Sequence, residues 1–323
     1  MHSKKMKVNI IPTKLNGKIK APADKSEIIR YIIISALREQ ECSIRNVNLC
    51  DDVLACMDCV ENMQGVMNAG ESATVLRLLL PSVVKKYGKA DFECAESLLA
   101  RPMKPYEELF DIWEVNGNQL HVEGKLEKGP YTLPPDVSSQ FFSGLLIAGC
   151  ELTGQPESSR YFDLTKEILS KHNFINIICD EDRTLRAFWE IGNLEIGDAS
   201  EEPDFVPCWA LQASLTPGRT LIENAGRLRF KESDRLHSIT EVLNRLGADV
   251  KELENGLEIT GVEKLRGGCE IDPFNDHRIA MMAAVAAQWC TQSVSILNAE
   301  CVSKSYPNFY DDYERLGGKI DAV

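Results

Sequence analysis

Hydrophobic positions along the chain switch between two spacings. Apolar residues recur at close to every second position in KVNIIP (7–12), CSIRNV (42–47), ADFECA (90–95), HVEGKL (121–126), RTLIENA (219–225) and VSILNAE (294–300). That spacing predicts half-buried strands. Between these pieces lie longer stretches with apolar residues three and four apart: SEIIRYIIISALREQ (26–40), SATVLRLLLPSVVKKYG (72–88), SSQFFSGLLIAGC (138–150), LTKEILSKHNF (164–174), DRLHSITEVLNRLG (234–247) and HRIAMMAAVAAQWC (277–290). These predict helices, and the alternation predicts an α/β protein. A looser recurrence overlies it. SSQFFSGLLIAGCEL, PDFVPCWALQASLTPGRTLIENA and DHRIAMMAAVAAQWCTQSVSILNAE each run from a polar lead into an apolar helix. The latter two go on into a strand that ends near Asn or Glu. The shape points to repeated supersecondary units rather than one doubly wound sheet. The best boundary is EIGNLEIGDASEEPD (190–204), rich in Gly and acidic residues.

Length and charge narrow the class. A chain of 323 residues is expected to form two domains. Its net charge of −13 argues against nucleic acid or an anionic membrane as main partners. Small anions remain open, because local clusters set the field in a cleft. Eleven cysteines, odd in number and irregularly spaced, read as reduced thiols of a cytoplasmic protein. Cys56 and Cys59 form a lone CxxC inside a helical pattern and read as buried helix cysteines. No apolar run approaches a membrane span, and MHSKKMKVNIIP reads as a charged tail entering a strand.

Several segments place a cation beside small or hydroxyl residues at a helix entrance. In APADKSEIIR, Lys25 and Ser26 can hold an anion with the free amides of a helix start, and Arg30 lies one turn on. In MNAGESATVLRLLLP, Ser72, Ala73 and Thr74 precede Arg77, which enters an apolar run where an unpaired charge is costly. Both segments read equally as ordinary helix caps. Arg101 stands before Pro102. Ser138, Ser139 and Gln140 form a neutral donor cluster, again at a helix entrance. Asp204 lies before a mostly apolar helix, where its surroundings would raise its pKa and make it a general base; capping is the alternative. Lys231 and Arg235 share a helix face with Glu232 beside them, an arrangement able to shuttle a proton while holding anions; a salt-bridged surface helix is the alternative. Arg278 opens the Met- and Ala-rich helix and needs an anionic partner. Lys304 lies between two serines. The number of such segments in an acidic chain points to a ligand with several negative charges.

Taken in order, DKSEIIR, DDV, GESATVLR, ARP, SSQF, SSRYFDLT, PDFVP, RLRFKESDRL, NDHRIAM and SKSYPNF resemble the 3-phosphoshikimate 1-carboxyvinyltransferases, the EPSP synthase family, over nearly the whole chain. The resemblance implies two similar domains built from repeated βαβαββ units, residues 21–195 and a discontinuous domain of 1–20 with 196–323, with the substrates in the cleft between them. It implies transfer of the enolpyruvyl group of phosphoenolpyruvate to the 5-hydroxyl of shikimate 3-phosphate, on the shikimate pathway to chorismate and aromatic amino acids. It further implies a cytoplasmic monomer with no metal or organic cofactor.

Carried over position by position, Lys25, Ser26, Arg30, Ser138, Ser139, Gln140, Ser158, Tyr161, Asp204 and Lys231 match shikimate 3-phosphate positions. Lys25, Ala73, Thr74, Arg101, Gln140, Arg235, Arg278 and Lys304 match phosphoenolpyruvate positions. Asp204 matches the base for the 5-hydroxyl, Glu232 and Lys25 the candidates for proton movement at the methylene carbon, and Lys231 a group beside the reacting hydroxyl. The chain departs from the family in three places. Ala73 replaces the usual Gly, a change linked in the family to glyphosate insensitivity. The chain is shorter between Lys25 and Arg77, and between Tyr161 and Asp204 about one repeat is absent, which would leave the discontinuous domain smaller. Two other readings remain: a shortened homologue that binds anions without turnover, and the related enzyme acting on UDP-N-acetylglucosamine, which usually carries Lys-Asn where this chain has Lys25-Ser26.

Overall fold

The computed structural model describes residues 5–40, 44–45, 47–170, 177–178, 184–187 and 198–322. The chain divides into a terminal unit, Met1–Ala21 with Asp182–Val323, and a central unit, Pro22–Glu181. The terminal unit opens with β1 (Val8–Ile11) and β2 (Gly17–Lys20). The central unit runs through α1 (Lys25–Leu37), β3 (Ile44–Arg45), α2 (Asp51–Glu61), β4 (Val66–Gly70), α3 (Ala73–Tyr87) and β5 (Lys89–Cys94). One-turn helices α4 (Glu96–Leu99) and α5 (Lys104–Glu107) follow, then β6 (Ile112–Asn116), β7 (Gln119–Glu123), β8 (Tyr131–Thr132), α6 (Ser139–Ile147), β9 (Leu152–Thr153), α7 (Arg160–Ser170) and β10 (Ile177–Ile178). The chain returns to the terminal unit with β11 (Thr184–Ala187), α8 (Val206–Leu215), β12 (Arg219–Ile222), α9 (Arg235–Leu246), β13 (Asp249–Leu253) and β14 (Gly256–Thr260). It ends with β15 (Cys269–Ile271), α10 (His277–Ala286), β16 (Val294–Ile296), α11 (Phe309–Arg315) and β17 (Lys319–Ala322).

Each unit contains one repeated arrangement, and of the recurrent segments quoted from the sequence only α10–β16 lies in either. In the central unit, β4-α3-β5-α4/α5-β6-β7 forms a sheet in the order β4-β5-β7-β6. Its first pair is parallel and its other pairs antiparallel. In the terminal unit, β15-α10-β16-α11-β17 forms a sheet in the order β15-β16-β1-β17 with the same pairing senses. Both are βαβαββ arrangements, and in the second the N-terminal strand β1 takes the third place in the sheet, between β16 and β17. Smaller pairings complete the units: β12-β14-β13 and β2-β11 in the terminal unit, β3-β10 and β8-β9 in the central one. Thus β11 lies within residues 21–195, grouped from sequence with the first domain, yet pairs with β2 of the terminal unit.

Each unit buries its own core. Ile28, Leu76, Phe92 and Phe142 represent the central one; Ile10, Leu236, Ile279 and Ile296 represent the terminal one. Helix α3 is buried on every side from Ala73 to Val84, which explains its nearly unbroken apolar run. Pro81 lies inside it. Lacking an N–H, Pro81 leaves the Arg77 carbonyl four residues back without its helical donor. The buried Tyr106 hydroxyl takes that place at 2.8 Å and also lies 3.0 Å from the Phe141 carbonyl of α6. The approach of α6 depends on Gly144, where a Cβ would lie 2.2 Å from the Arg77 carbonyl oxygen. Cys56 and Cys59 are fully buried in α2, and burial raises both thiols. Parts of the stretches CSIRNV, LTKEILSKHNF and EIGNLEIGDASEEPD lie outside the described residues. The β6–β7 hairpin, turning at Gly117 with φ +63°, was not singled out in the sequence.

Candidate active site

In the central unit the site residues gather around the starts of α1, α3 and α6. Asp24 caps α1, accepting from the amides of Ser26 (2.8 Å) and Glu27 (3.3 Å), and its other oxygen accepts from the Tyr161 hydroxyl at 2.7 Å. This corrects the expectation of free amides there: a carboxylate of the chain already occupies them. Lys25 reaches instead to Asp52, in the first turn of α2, with Nζ 2.7 Å from Oδ2. Arg30 is 1% exposed. Its Nη1 donates to the Ser26 carbonyl and its Nε to Thr165 Oγ1, both at 2.8 Å, and its guanidinium lies over the Tyr161 ring. Burial pulls its pKa down to about 10, against the opposing pull of Tyr161, Asp24 and Glu27. Among the described residues its buried Nη2 has no partner, and the same holds for Nε and Nη2 of Arg101. Buried guanidinium donors left open in this way are suited to an anionic ligand.

Ser72 caps α3 and Ser138 caps α6, so each hydroxyl serves its own helix. The open question at Ala73–Arg77 is therefore answered in part by capping. Ala73, 6% exposed, is the first helical residue. Gln140 links the two helices: its amide nitrogen donates to Thr74 Oγ1 at 2.8 Å, and its oxygen accepts from Arg77 Nη1 at 3.1 Å. Arg77 also donates to the Pro102 carbonyl and stacks on Phe141. Arg77 is thus a buried positioning residue that fixes Gln140 and the segment beside Arg101. Ser139 and Ser158 are also buried.

The terminal unit carries a dense charge cluster. Arg235, at the start of α9 and 1% exposed, donates to Asp276 (Nε, 2.7 Å), Asp204 (Nη1, 2.8 Å) and Glu232 (Nη2, 2.5 Å). Arg278 donates to the other oxygen of Asp204 at 2.8 Å, and Lys231 Nζ lies 3.6 Å from Asp204. Asp276 is fully buried; it caps α10 through the Arg278 amide and accepts from Ser233 Oγ. The turn that delivers it holds Phe274 and Asn275 at φ +55°, a left-handed conformation unfavourable for side-chain-bearing residues. The Asn275 carbonyl in turn accepts from Lys304 Nζ at 2.6 Å.

The electrostatics follow from this geometry. Burial pushes the Asp204 carboxyl up, but Arg278, Lys231 and Arg235 outweigh it and hold the group well below the usual carboxylate range. The expectation of a raised pKa is thereby corrected: three cations outweigh desolvation. Burial lowers Lys231, and Asp204 only partly restores it. Burial also opposes the charge on Arg235, but Asp276, Glu232 and Asp204 raise its pKa overall. Sequence reasoning missed the partners that organise these groups, namely Asp24, Asp52, Thr165 and Asp276. All four sit inside quoted motifs, Asp24 and Asp276 close to cations that drew notice, but nothing local marks which side chain each would meet.

The family model for EPSP synthase (3-phosphoshikimate 1-carboxyvinyltransferase) matches residues 10–69 and 155–313. Those segments contain Lys25, Arg30, Tyr161 and the whole charge cluster of the terminal unit. Curated proteins named 3-phosphoshikimate 1-carboxyvinyltransferase match more fully. One from Clostridium perfringens is 31% identical, covering 97% of this chain and 98% of its own length. One from Clostridium acetobutylicum is 33% identical, with the same shares covered. These alignments run over 418 and 419 positions, so roughly a hundred positions carry no residue of this chain. Among solved structures, the EPSP synthase of Acinetobacter baumannii superposes with a TM-score of 0.74 at 20% identity, covering 98% of this chain and 100% of that one. With its repeated βαβαββ arrangement and these matches over almost its full length, the chain belongs to the EPSP synthase (3-phosphoshikimate 1-carboxyvinyltransferase) family.

Proposed function

We propose that this protein transfers the enolpyruvyl group of phosphoenolpyruvate to the 5-hydroxyl of shikimate 3-phosphate and releases phosphate by addition–elimination, a step of aromatic amino acid biosynthesis. Family membership over nearly the whole chain supports this reading, and the retained cluster at Asp204 carries it furthest. Addition at the enol phosphate carbon of phosphoenolpyruvate joins two anionic substrates, so fixed cations must hold them together. Arg278, Arg235, Lys304, Lys25 and Arg101 are the groups assigned to phosphoenolpyruvate, with Gln140, Ala73 and Thr74 beside them. Ser26, Arg30, Ser138, Ser139, Ser158 and Tyr161 are assigned to shikimate 3-phosphate.

Asp204 is the base in this reading, and its low pKa gives it a condition for acting. Its oxygens accept from Arg278 and Arg235. When substrate anions draw those guanidinium groups to themselves, the hold on Asp204 weakens and its proton affinity rises. Lys231 then bridges base and hydroxyl, and Glu232 or Lys25 moves the proton at the methylene carbon.

The test is phosphate release with both substrates present, in wild type, Lys25→Ala and Asp204→Ala. The account expects loss of turnover by at least two orders of magnitude in each variant, in line with the usual contribution of a positioned acid or base. Unchanged rates would remove these residues from the mechanism.

A further inference from the structure

A cavity of about 480 Å³ lies along α8 and α10, wholly within the terminal unit. Its α10 wall is a stripe of half-buried residues: Arg278, Met281 and Val285, with Trp289 just beyond the helix. Its α8 wall includes Cys208, Leu211 and Leu215. Both stripes follow the spacing of one helix face, and the α8 stripe extends roughly 10 Å at the rise of an α-helix. The volume falls within the range of small-molecule sites. Beyond the end held by Asp204 and Arg278 the lining is mostly apolar, with Gln212 on α8 as its polar member. Among the described residues the Arg278 side chain makes one hydrogen bond, Nη2 to Asp204, so its remaining guanidinium donors are open.

We propose that this groove binds small carboxylates bearing an aryl or alkyl tail, with the carboxylate on Arg278 and the tail between α8 and α10. The charge at one end and the apolar walls beyond it call for an anionic head and an apolar body together. A short polar acid such as acetate gains only the head contact. A primary amine of the same shape meets the cation Arg278, whereas Asp204 is already paired with three cations. The proposal rests on Arg278 being the phosphoenolpyruvate-binding cation of the previous section in one respect only: the tailed carboxylate then competes with phosphoenolpyruvate.

Cys208 gives a readout independent of catalysis. It is exposed at the groove, although its packed surroundings raise its thiol pKa, so alkylation is best run at mildly alkaline pH. The full-length protein is treated with N-ethylmaleimide in the presence of 4-phenylbutyrate, 4-phenylbutylamine or acetate, and modification at Cys208 is followed by peptide mass mapping. The expected result is protection by 4-phenylbutyrate at concentrations about tenfold or more below those at which either control acts. Val285→Trp, which fills the groove, and Arg278→Gln, which removes the head contact, should each weaken protection about tenfold; Leu215→Gln, a milder change at the far end, should weaken it less. Equal protection by the amine, or protection that survives Val285→Trp in a protein of unchanged thermal midpoint, would overturn the proposal, as would no protection at all. Initial-rate inhibition by 4-phenylbutyrate should be competitive with phosphoenolpyruvate. Protection without such competition would leave the groove assignment standing and overturn the assignment of Arg278 to phosphoenolpyruvate.

Discussion

Replacing Arg235 by Met should destabilise the protein far more than an ordinary surface-charge deletion. Arg235 is 1% exposed and Asp276 is 0% exposed, and they meet at 2.7 Å. The substitution keeps much of the aliphatic volume but leaves the Asp276 carboxylate buried without its cation. Ser233 Oγ and the Arg278 amide still donate to Asp276, so it keeps hydrogen bonds while losing charge compensation. Removing one partner of a buried ion pair typically costs about 3–5 kcal/mol. That is a large share of the roughly 5–15 kcal/mol by which domains are stable. Urea denaturation followed by tryptophan fluorescence can measure it, since Trp209 and Trp289 lie in the same unit as the cluster. The double substitution Arg235→Met with Asp276→Leu, which removes both charges, should cost less than Arg235→Met alone. A loss below about 1 kcal/mol, or a double variant no more stable than Arg235→Met alone, would refute the reasoning.

Other outcomes follow from the same geometry. Tyr106→Phe leaves the Arg77 carbonyl, freed by Pro81, without a donor in the core; a loss of about 1–3 kcal/mol in denaturant unfolding is expected. Asp204→Asn removes a carboxylate whose folded pKa is depressed, so its stabilisation is present above about pH 4 and fades as pH falls through the folded value. The variant should melt below wild type at pH 7, and the gap should narrow in strong acid, as read by thermal scans. Ala73→Gly removes a methyl at the first position of α3 and should increase inhibition by glyphosate in a steady-state assay. Shikimate 3-phosphate should raise the thermal midpoint in a concentration-dependent way, and Arg30→Met should abolish most of that shift.

Much of the fold was legible because hydrophobic spacing reports burial directly. α1, α3, α9 and α10 lie where apolar residues recur at helical spacing, while the recurrence of helix-to-strand shapes caught only α10–β16 of the paired βαβαββ arrangements. The contribution of β1 to the sheet of β15, β16 and β17 was not legible, since local spacing carries no information about a partner nearly 300 residues away. At the site, the cations stood out because charges at the edges of apolar runs need partners. Which partner each takes was hidden. Asp24 looked like any helix cap, yet it also holds Tyr161. Asp276 drew no notice within NDHRIAM, yet it is the buried carboxylate of Arg235. The pKa of Asp204 was misread for the same reason: an apolar neighbourhood was visible along the chain, but the three cations come from Lys231, Arg235 and Arg278, far off in sequence.

The central claim is turnover, and the most direct measurement is phosphorus NMR of the purified full-length protein incubated with phosphoenolpyruvate and shikimate 3-phosphate. The account expects the phosphoenolpyruvate signal to decline as inorganic phosphate and a new phosphorylated product appear in equal amounts, only when both substrates are present. Binding of shikimate 3-phosphate with no phosphate release over many hours would contradict it.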